Sequence, residues 1–319
     1  MKKLAALALA CTLAGAASAQ SWPTKPVRIV VPAPAGSSLD IIARTLGENL
    51  TQTWKQPIVV DNKAGAGGML GMDVAAKAAP DGYTLAIGFN GPVAFGPYMY
   101  KKMPYDPARD LQPIVLTTSQ PNVLAVAAAN PAKTLPEFVA WAKQQGDKLS
   151  YGSVGNGSSS HLTMELFKAA AGFDAVHVPY AGSPPAATSL AAGETQLLFT
   201  VEPALKPLIQ SGRIKLIAAS SAQRSETLKD LTTVAESGFP GFEAMAWNGL
   251  FTSAATPAEI VNRINVDVNA ALKDKAVRDI FAKQGLIPGG GTPAEFKSFI
   301  EVESNKWGAI IKKVGIKID

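Results

Sequence analysis

The sequence contains very little cysteine and histidine. Among its 319 residues there is one cysteine, Cys11, and there are two histidines, His161 and His177. Cys11 lies inside an apolar N-terminal stretch, so a chain cleaved after that stretch has no thiol and can form no disulfide. Two histidines without a cysteine are a poor basis for a zinc site. We therefore predict that the protein uses no metal and no cofactor.

A hydrophobic run long enough to cross a bilayer is also missing. The apolar stretch at residues 4–16 is shorter than the ~20 residues that a membrane-spanning helix needs. It follows two lysines, and the Ala-Ser-Ala segment at 17–19 fits a small-residue cleavage site. We predict that residues 1–19 are a signal peptide and that the mature chain is secreted. A retained membrane anchor is the alternative.

Strong charge of either sign is absent as well. The formal net charge is +5, and removing the two lysines of the signal peptide, with one charge each, leaves +3. The basic residues form no cluster or tail, which disfavours nucleic-acid binding. A hydrophobic content of 47% supports large cores, and the length suffices for two domains of ordinary size.

Short apolar runs alternate with helical patterns, which is typical of α/β proteins with parallel strands and crossover helices. Capping-box patterns at Thr134, Thr256 and Thr292 predict three helix starts, with Pro257 and Pro293 at first helical positions. We expect the C-terminal quarter to be mostly helical. The candidate strands are Val27–Val31, Ile58–Asp61, Thr84–Gly88, Ile114–Thr117, Val123–Ala128, Ser150–Ser153, Val176–Val178, Leu197–Thr200 and Ile214–Ala219.

The predicted division into domains rests on the absence of a linker segment. No segment rich in Gly, Ser or Pro divides the chain, so two domains would require it to cross between them more than once. We place the crossings near 120 and 222. Domain I then comprises residues 20–121 plus 222–319, and domain II comprises residues 122–221.

The loop VPAPAGSSLD at 31–40 follows the first predicted strand and precedes a helix. Gly36 permits a tight turn, and Ser37 or Ser38 can cap the helix. Its backbone amides would attract an anion without the help of a cation. Asp40 has capping-box spacing from Ser37, so we favour a capping role for it over a ligand contact, which stays open.

The loop YGSVGNGSSSHL at 151–162 follows another predicted strand and opens a helix predicted at 159–171. Its glycines allow close backbone approach to a ligand, and its serines supply hydroxyl donors. Each hydrogen bond to a charged acceptor contributes about 1.5–3 kcal/mol. The two loops together predict a cleft that holds a carboxylate without a salt bridge. A Ser-rich helix cap without a ligand is the alternative.

His161 stands beside three serines, which permits a catalytic interpretation. A Ser–His pair needs a nucleophile within hydrogen-bond reach of the base and an orienting third group, which neighbours in sequence rarely provide. The chain also has no G-x-S-x-G nucleophile elbow. We favour a structural His161 that bonds a loop carbonyl, and we interpret His177 as a strand residue.

A glycine-rich segment, GAGGMLG at 65–71, follows the second predicted strand. Its spacing does not fit the dinucleotide-binding fingerprint G-x-G-x-x-G. We predict a turn and a helix start that pack near the cleft.

Seven segments, spread over the whole mature chain, carry a family resemblance. They are Trp22–Pro26, VPAPAGSSLDIIAR (31–44), QPIVVDNKAGAGG (56–68), AAPDGYTL (78–85), YGSVGNGSSSHL (151–162), HVPYAGSPPA (177–186) and TTVAESGFPGFE (232–243). In this order they resemble the Bug family of TctC-like proteins, the extracytoplasmic solute receptors of tripartite tricarboxylate transporters.

The resemblance implies a type II periplasmic-binding-protein fold, with two α/β domains and a hinged ligand cleft. It implies capture of a small carboxylated solute in the periplasm and delivery to a membrane permease, with no catalysis. We also expect the protein to be a monomer. The loops at 33–38 and 153–159 would clamp the ligand, often through water. The predicted ligand-binding residues are Ala33, Pro34, Ala35, Gly36, Ser37, Ser38, Asp40, Phe89, Asn90, Ser153, Gly155, Gly157, Ser158, Ser159, His161, Tyr180, Ala181, Gly182, Thr200 and Trp247.

Three positions depart from the family pattern. Ser37 stands where a second glycine is usual, Ala181 where a lysine is common, and Thr200 where an aspartate is common. An aspartate at that last position would suit the ammonium group of an amino acid, so its absence favours a plain organic acid. For Phe89 and Trp247, we regard a position in the cleft wall and a position in the core as equally well supported by the sequence. Apolar cleft walls would suit a di- or tricarboxylate, aliphatic or aromatic.

Two other functions stay open at this stage. One is a secreted serine hydrolase that uses a serine near His161. The other is a ligand-sensing subunit of a signalling system, because closure of two domains around a ligand serves transport and sensing equally well. Saturable binding without turnover would separate a receptor from a hydrolase.

Overall fold

The computed structural model describes residues 22–225 and 228–318. The predicted signal peptide lies outside these residues. The strands are β1 (Val27–Val31), β2 (Ile58–Asn62), β3 (Thr84–Phe89), β4 (Leu111–Pro121), β5 (Val123–Ala127), β6 (Ser150–Ser153), β7 (Val176–Pro179), β8 (Leu197–Thr200), β9 (Ile214–Ala219), β10 (Met245–Ser253) and β11 (Ile287–Gly290). The α-helices are α1 (Ser38–Trp54), α2 (Met69–Ala76), α3 (Gly96–Met99), α4 (Pro107–Asp110), α5 (Leu135–Gln145), α6 (Ser159–Ala171), α7 (Ser183–Ala192), α8 (Lys206–Gln210), α9 (Ala258–Lys273), α10 (Lys275–Lys283) and α11 (Pro293–Val314).

The strands form two mixed sheets. One has the order β11-β4-β10-β3-β1-β2, in which β1 is parallel to β2 and β3 while β10 runs antiparallel to β3 and β4. The other has the order β7-β6-β8-β5-β9, with β6 parallel to β7 and β8 and with β5 antiparallel to β8 and β9. The prediction of parallel strands with crossover helices therefore holds for part of each sheet.

Strand β10 was not predicted from the sequence, although it lies in the middle of its sheet. Its sequence, MAWNGLFTS, carries Gly249 in the strand interior, which normally weakens a strand. The structure supplies the reason for this glycine. A Cβ atom at Gly249 would lie only 2.0 Å from Cζ of Phe296, so the ring of α11 packs directly on the strand backbone.

The chain changes sheet at two points that lie side by side. Asn122 separates β4 from β5, and its amide donates to Oγ of Ser220 at 2.9 Å. Ser220 follows β9, and its carbonyl accepts the amide of Ala244, just before β10, at 2.9 Å. Between these two residues, Val234 donates to the carbonyl of Ala219 at 2.8 Å, which keeps that segment beside β9. The predicted division into two domains stays a prediction.

Two of the three predicted helix starts use their threonine as expected. Thr292 forms a complete capping box with Glu295, and the hydroxyl of Thr134 caps the start of α5. The prediction for Thr256 was wrong. Its buried hydroxyl lies 3.2 Å from that of Thr252, and Pro257 occupies the cap position instead of opening α9. A local sequence pattern could not reveal this competing partner.

Candidate functional site

The first candidate turn, at residues 34–37, opens α1. The amide of Ser37 donates to the carbonyl of Pro34 at 3.3 Å, and Gly36 takes the positive φ of 79° that the turn requires. The hydroxyl of Ser37 caps the helix by accepting the amide of Asp40 at 3.3 Å. The carboxylate of Asp40 in turn accepts the amide of Gly36 at 2.9 Å. As expected from the sequence, Asp40 turns back on its own loop, but it bonds Gly36 rather than Ser37, so the reciprocal capping box is not completed.

The second candidate turn, at residues 155–158, opens α6. The amide of Ser158 donates to the carbonyl of Gly155 at 3.2 Å, and Gly157 has a φ of 71°. The hydroxyl of Ser158 accepts the amide of His161 at 3.3 Å. Atom Nδ1 of His161 then accepts the amide of Gly157 at 3.1 Å.

The two turns are the same structural unit used twice. Each has a positive-φ glycine followed by a capping serine, and in each the third helical residue accepts the amide of that glycine. Asp40 fills this role in the first turn and His161 fills it in the second. The chemical difference between these two acceptors, a carboxylate and an imidazole, is the main asymmetry of the site.

Two amides at each helix start have no acceptor within the described part of the protein. Within residues 22–225 and 228–318, the amides of Ser38 and Leu39 in α1, and those of Ser159 and Ser160 in α6, donate to no protein group. These are the first and second helical positions, where unpaired donors and the positive end of the helix dipole coincide. Such amides can hold a carboxylate without a neighbouring lysine or arginine.

The glycine-rich segment after β2 lies between the two turns. Asn62, at the end of β2, donates from its side chain to the carbonyl of Ala33 at 3.0 Å. A Cβ atom at Gly67 would lie 3.3 Å from the carbonyl oxygen of Asn156 in the second turn, and one at Gly68 would lie 2.6 Å from the ring of Phe89. The prediction of a turn near the cleft that leads into a helix is in accord with this arrangement.

The charge of Asp40 is compensated locally. Burial alone would raise the pKa of its carboxyl, but hydrogen bonds from Arg44 at 2.9 Å, from the amide of Gly36 and from Asn62 at 3.0 Å outweigh that cost. The pKa therefore lies below its usual value, and Asp40 is ionised at neutral pH. Because the amide of Gly36 is already occupied by this carboxylate, it is not available to a ligand.

Both histidines lie in one aromatic stack behind the second turn, in which His161 is buried and His177 is half-buried. The imidazoles of His161 and His177 stack with centroids 3.9 Å apart, and the ring of Tyr151 stacks on His177 at 4.9 Å. Burial lowers the pKa of His161 to about 3, helped by the proximity of His177 and Lys168. Burial likewise lowers the pKa of His177 to about 4. Both rings are neutral at physiological pH.

The structure places a serine and a histidine in contact, but not in the way that catalysis needs. Ser153 Oγ lies 2.6 Å from Nε2 of His177, rather than near His161. Ser153 is fully buried, so its hydroxyl meets no solvent. In the described residues there is no group of three or more His, Cys, Asp or Glu side chains suited to a metal, and no helix combines the length and apolarity that a bilayer span requires.

The segment at 180–183, which holds the predicted ligand-binding residues Tyr180, Ala181 and Gly182, contributes another helix start. Gly182, with a φ of 117°, precedes α7. Ser183 and Thr200 share a hydrogen bond between their hydroxyls at 2.9 Å, so the position where the family often has an aspartate carries a neutral, buried group. Ala181 is exposed, and the hydroxyl of Tyr180 is bonded to Ser189.

Two of the predicted contact residues lie deeper than the turns. The side chain of Asn90 is buried and donates to the carbonyl of Met245 at 3.2 Å. The indole of Trp247 is fully buried and donates to Glu303 of α11 at 3.2 Å, and it packs against Phe296. A ligand contact by Trp247 would therefore need α11 to move away.

Sequence reasoning missed three residues that pack against the second turn and the glycine-rich segment. A Cβ atom at Gly67 would lie 2.9 Å from the hydroxyl of Tyr100, and one at Gly157 would lie 2.6 Å from Cε of Met99 and 3.5 Å from Ile318. These residues follow no strand and belong to no glycine-rich motif. Only the packing of the chain brings Met99 and Ile318 together, through a bond from the amide of Ile318 to the carbonyl of Met99 at 2.9 Å.

Comparison with known proteins identifies the family. The family described as "Tripartite tricarboxylate transporter family receptor" matches residues 42–316, which is most of the chain. The chain belongs to this family. The resemblance inferred from the sequence is thereby confirmed, and this receptor is a solute-binding protein rather than an enzyme.

Relatives agree with this assignment along nearly the whole length. This receptor is 34% identical to Protein BugT of Bordetella pertussis (strain Tohama I) over 307 residues, 96% of this chain and 94% of BugT. It matches the structure of R. palustris Rpa4515 with adipate at a TM-score of 0.87 and 36% identity, covering 93% of this chain and 99% of that one. It matches the structure of MatC (Rpa3494) from Rhodopseudomonas palustris with bound malate at a TM-score of 0.83 and 30% identity, covering 91% of this chain and 100% of that one. The predicted fold class is confirmed.

Proposed function

We propose that this receptor captures a small dicarboxylate, or a tricarboxylate, between its two helix-opening turns and delivers it to the membrane permease of a tripartite tricarboxylate transporter. It acts as a monomer in the periplasm after removal of residues 1–19. Closure of the two halves around the ligand would create the form that the permease recognises.

The observation that carries this proposal is the repeated turn. Each copy leaves two amides without a protein acceptor at a helix start, and each is followed by a helix of at least 13 residues whose dipole favours an anion there. One copy follows β1 in the first sheet and the other follows β6 in the second, so a ligand that engages both would link the two sheets. A molecule with two or more carboxylates suits two such sites.

The relatives support the choice of a plain organic acid. The structures of Rpa4515 and MatC hold adipate and malate, which are both dicarboxylates. In this chain the hydroxyls of Ser183 and Thr200 satisfy each other where an amino-acid receptor would place a carboxylate for an ammonium group. We therefore expect dicarboxylates to bind more tightly than amino acids of the same length.

The test is a calorimetric titration of the chain purified from the periplasm, with mass spectrometry to locate its N-terminus. We expect saturable binding of adipate, malate or citrate, no binding of the uncharged diamide of adipic acid, and unchanged acid after incubation. Turnover of the acid, or equal affinity for the diamide, would overturn the proposal. Analytical ultracentrifugation of the same sample tests the monomer.

A single substitution tests the second turn as the anion site. Ser159→Glu places a carboxylate beside the free amides of α6, where it should satisfy the helix dipole and leave the melting temperature unchanged or higher. Because it competes for two charge-assisted hydrogen bonds, we expect affinity to fall at least about a hundredfold.

The matched control is Ser159→Ala. This variant keeps the backbone amides of α6 and adds no charge, so it should bind within about tenfold of wild type. Normal binding by Ser159→Glu would show that the anion binds elsewhere.

A further inference from the structure

We propose that His161 is a positioning residue for the ligand. It acts as the neutral counterpart of Asp40, and holds the second turn in its binding geometry without placing a negative charge beside a bound carboxylate. The inference rests on the proposed function, since it concerns affinity for a carboxylate at that turn.

The first step concerns what His161 does to the turn. Its Nδ1 accepts the amide of Gly157 at 3.1 Å, which fixes the residue that precedes the cap of α6. A nitrogen that accepts from an amide carries no proton, so the ring is neutral with its proton on Nε2. The ring is held in place by its stack on His177 at 3.9 Å.

The second step concerns why an aspartate does this work in one turn and a histidine in the other. Four residues after Asp40 stands Arg44, whose guanidinium compensates the carboxylate at 2.9 Å. Four residues after His161 stands Glu165, and this position lies one helical turn away on the same face. A carboxylate at 161 would therefore have no arginine at the equivalent position, and Lys168, the cation that acts on His161, is already bonded to Glu165.

The third step concerns the charged groups around the histidine. Glu165 is engaged by Lys168 at 2.8 Å and by the hydroxyl of Tyr151, so its charge is already balanced. The remaining neighbour, His177, is neutral and bonded to Ser153. A neutral acceptor at 161 leaves the group of residues around it without net charge. No negative charge then opposes binding of a carboxylate at the adjacent helix start.

Three substitutions at position 161 separate the two parts of its role, which are to accept the amide of Gly157 and to carry no negative charge. In the first turn, an aspartate side chain reaches the equivalent glycine amide at 2.9 Å, so an asparagine of the same shape can reach Gly157. His161→Asn keeps a neutral acceptor, His161→Leu removes the acceptor, and His161→Asp copies the first turn, charge included. The affinity for adipate or malate is measured by calorimetry at pH 7.5, next to the melting temperature of each variant.

We expect His161→Asn to bind within about threefold of wild type, and His161→Leu to bind about tenfold more weakly, the equivalent of one net hydrogen bond. We expect His161→Asp to bind more weakly than His161→Leu at pH 7.5 and to recover part of its affinity at pH 5, as the introduced carboxyl takes up a proton. Wild type and His161→Asn should show no such recovery. A purely structural role would instead make affinity follow the melting temperature, with no rescue by asparagine and no pH profile specific to aspartate.

Failure of the inference and failure of the proposed function give different results. If wild type binds no carboxylate, the proposed function fails, and the inference fails with it. If wild type binds but His161→Leu and His161→Asp bind equally well, only the inference is overturned. A ligand-free measurement checks the geometry independently: the ¹⁵N shifts of His161 should report an unprotonated Nδ1 that accepts a hydrogen bond.

Discussion

Lowering the pH from 7 to 5 should destabilise this receptor, because the fold holds its two histidines in neutral form. An unfolded histidine has a pKa of about 6.5. In the native stack the pKa of His161 is about 3 and that of His177 about 4. Between pH 6.5 and pH 4 the histidines of the unfolded chain are therefore protonated while those of the native chain are mostly not. Because the unfolded state binds more protons, the free energy of unfolding rises with pH across this window.

The magnitude follows from those values. At pH 5 each histidine favours the unfolded state by about 2 kcal/mol relative to pH 7, or about 4 kcal/mol for both as an upper limit. This is a large part of a typical domain stability of about 5–15 kcal/mol. The interval is clean because the sequence holds no other histidine, and carboxyl groups with ordinary or lowered pKa values titrate mostly below it.

The assay is urea denaturation followed by tryptophan fluorescence at several pH values, with His177→Asn as the control. We expect the control to lose about half of the pH dependence, because one titrating group remains. Equal stability of wild type at pH 7 and pH 5, together with ordinary imidazole titration near pH 6.5 by NMR, would refute the reasoning.

Two further predictions concern stability away from the histidines. Gly36→Ala and Gly157→Ala form a matched pair, because both glycines have a similar positive φ. The new Cβ atom at 36 meets open space, so this variant should lose about 1 kcal/mol of unfolding free energy through backbone strain. The new Cβ atom at 157 also lies 2.6 Å from Cε of Met99, so this variant should lose clearly more in urea denaturation. Glu303 accepts both the indole of Trp247 at 3.2 Å and that of Trp307 at 3.1 Å. Glu303→Leu should therefore destabilise by about 2–6 kcal/mol, since two buried donors lose their acceptor, and Glu303→Gln by less. Equal costs within either pair would contradict these assignments.

Much of the fold could be predicted because its signals are local. The apolar runs that become β1, β8 and β9 are short and bounded by turn residues, so their positions follow from the sequence alone. Strand β10 could not be found in this way. Its interior glycine is explained only by the ring of Phe296, which is distant in sequence, and its antiparallel pairing with β3 and β4 depends on the return of the chain from the other sheet.

The two helix-opening turns were predictable to the same extent. Gly36 and Ser37, like Gly157 and Ser158, mark their turns by residue type, and the return of Asp40 to its own loop follows from spacing. The structural role of His161 was also foreseen, but its partner was not: the ring accepts an amide and does not donate to a carbonyl. The identity of a hydrogen-bond partner depends on the orientation of the turn, which residue types alone do not specify.

Under the proposed function, the repeated turn explains how two loops that contain no lysine or arginine would hold an anion. A lysine or arginine in contact with the ligand would hold a carboxylate strongly whether or not the second half of the chain had closed around it. Free amides at a helix start act over a short range, because the dipole effect falls off within the first turn. Two such starts, on separate sheets, each supply only part of the hydrogen bonding that a dicarboxylate needs. Tight binding then requires both turns at once, and so a site built from amides couples affinity to closure more strictly than a site built from charged side chains.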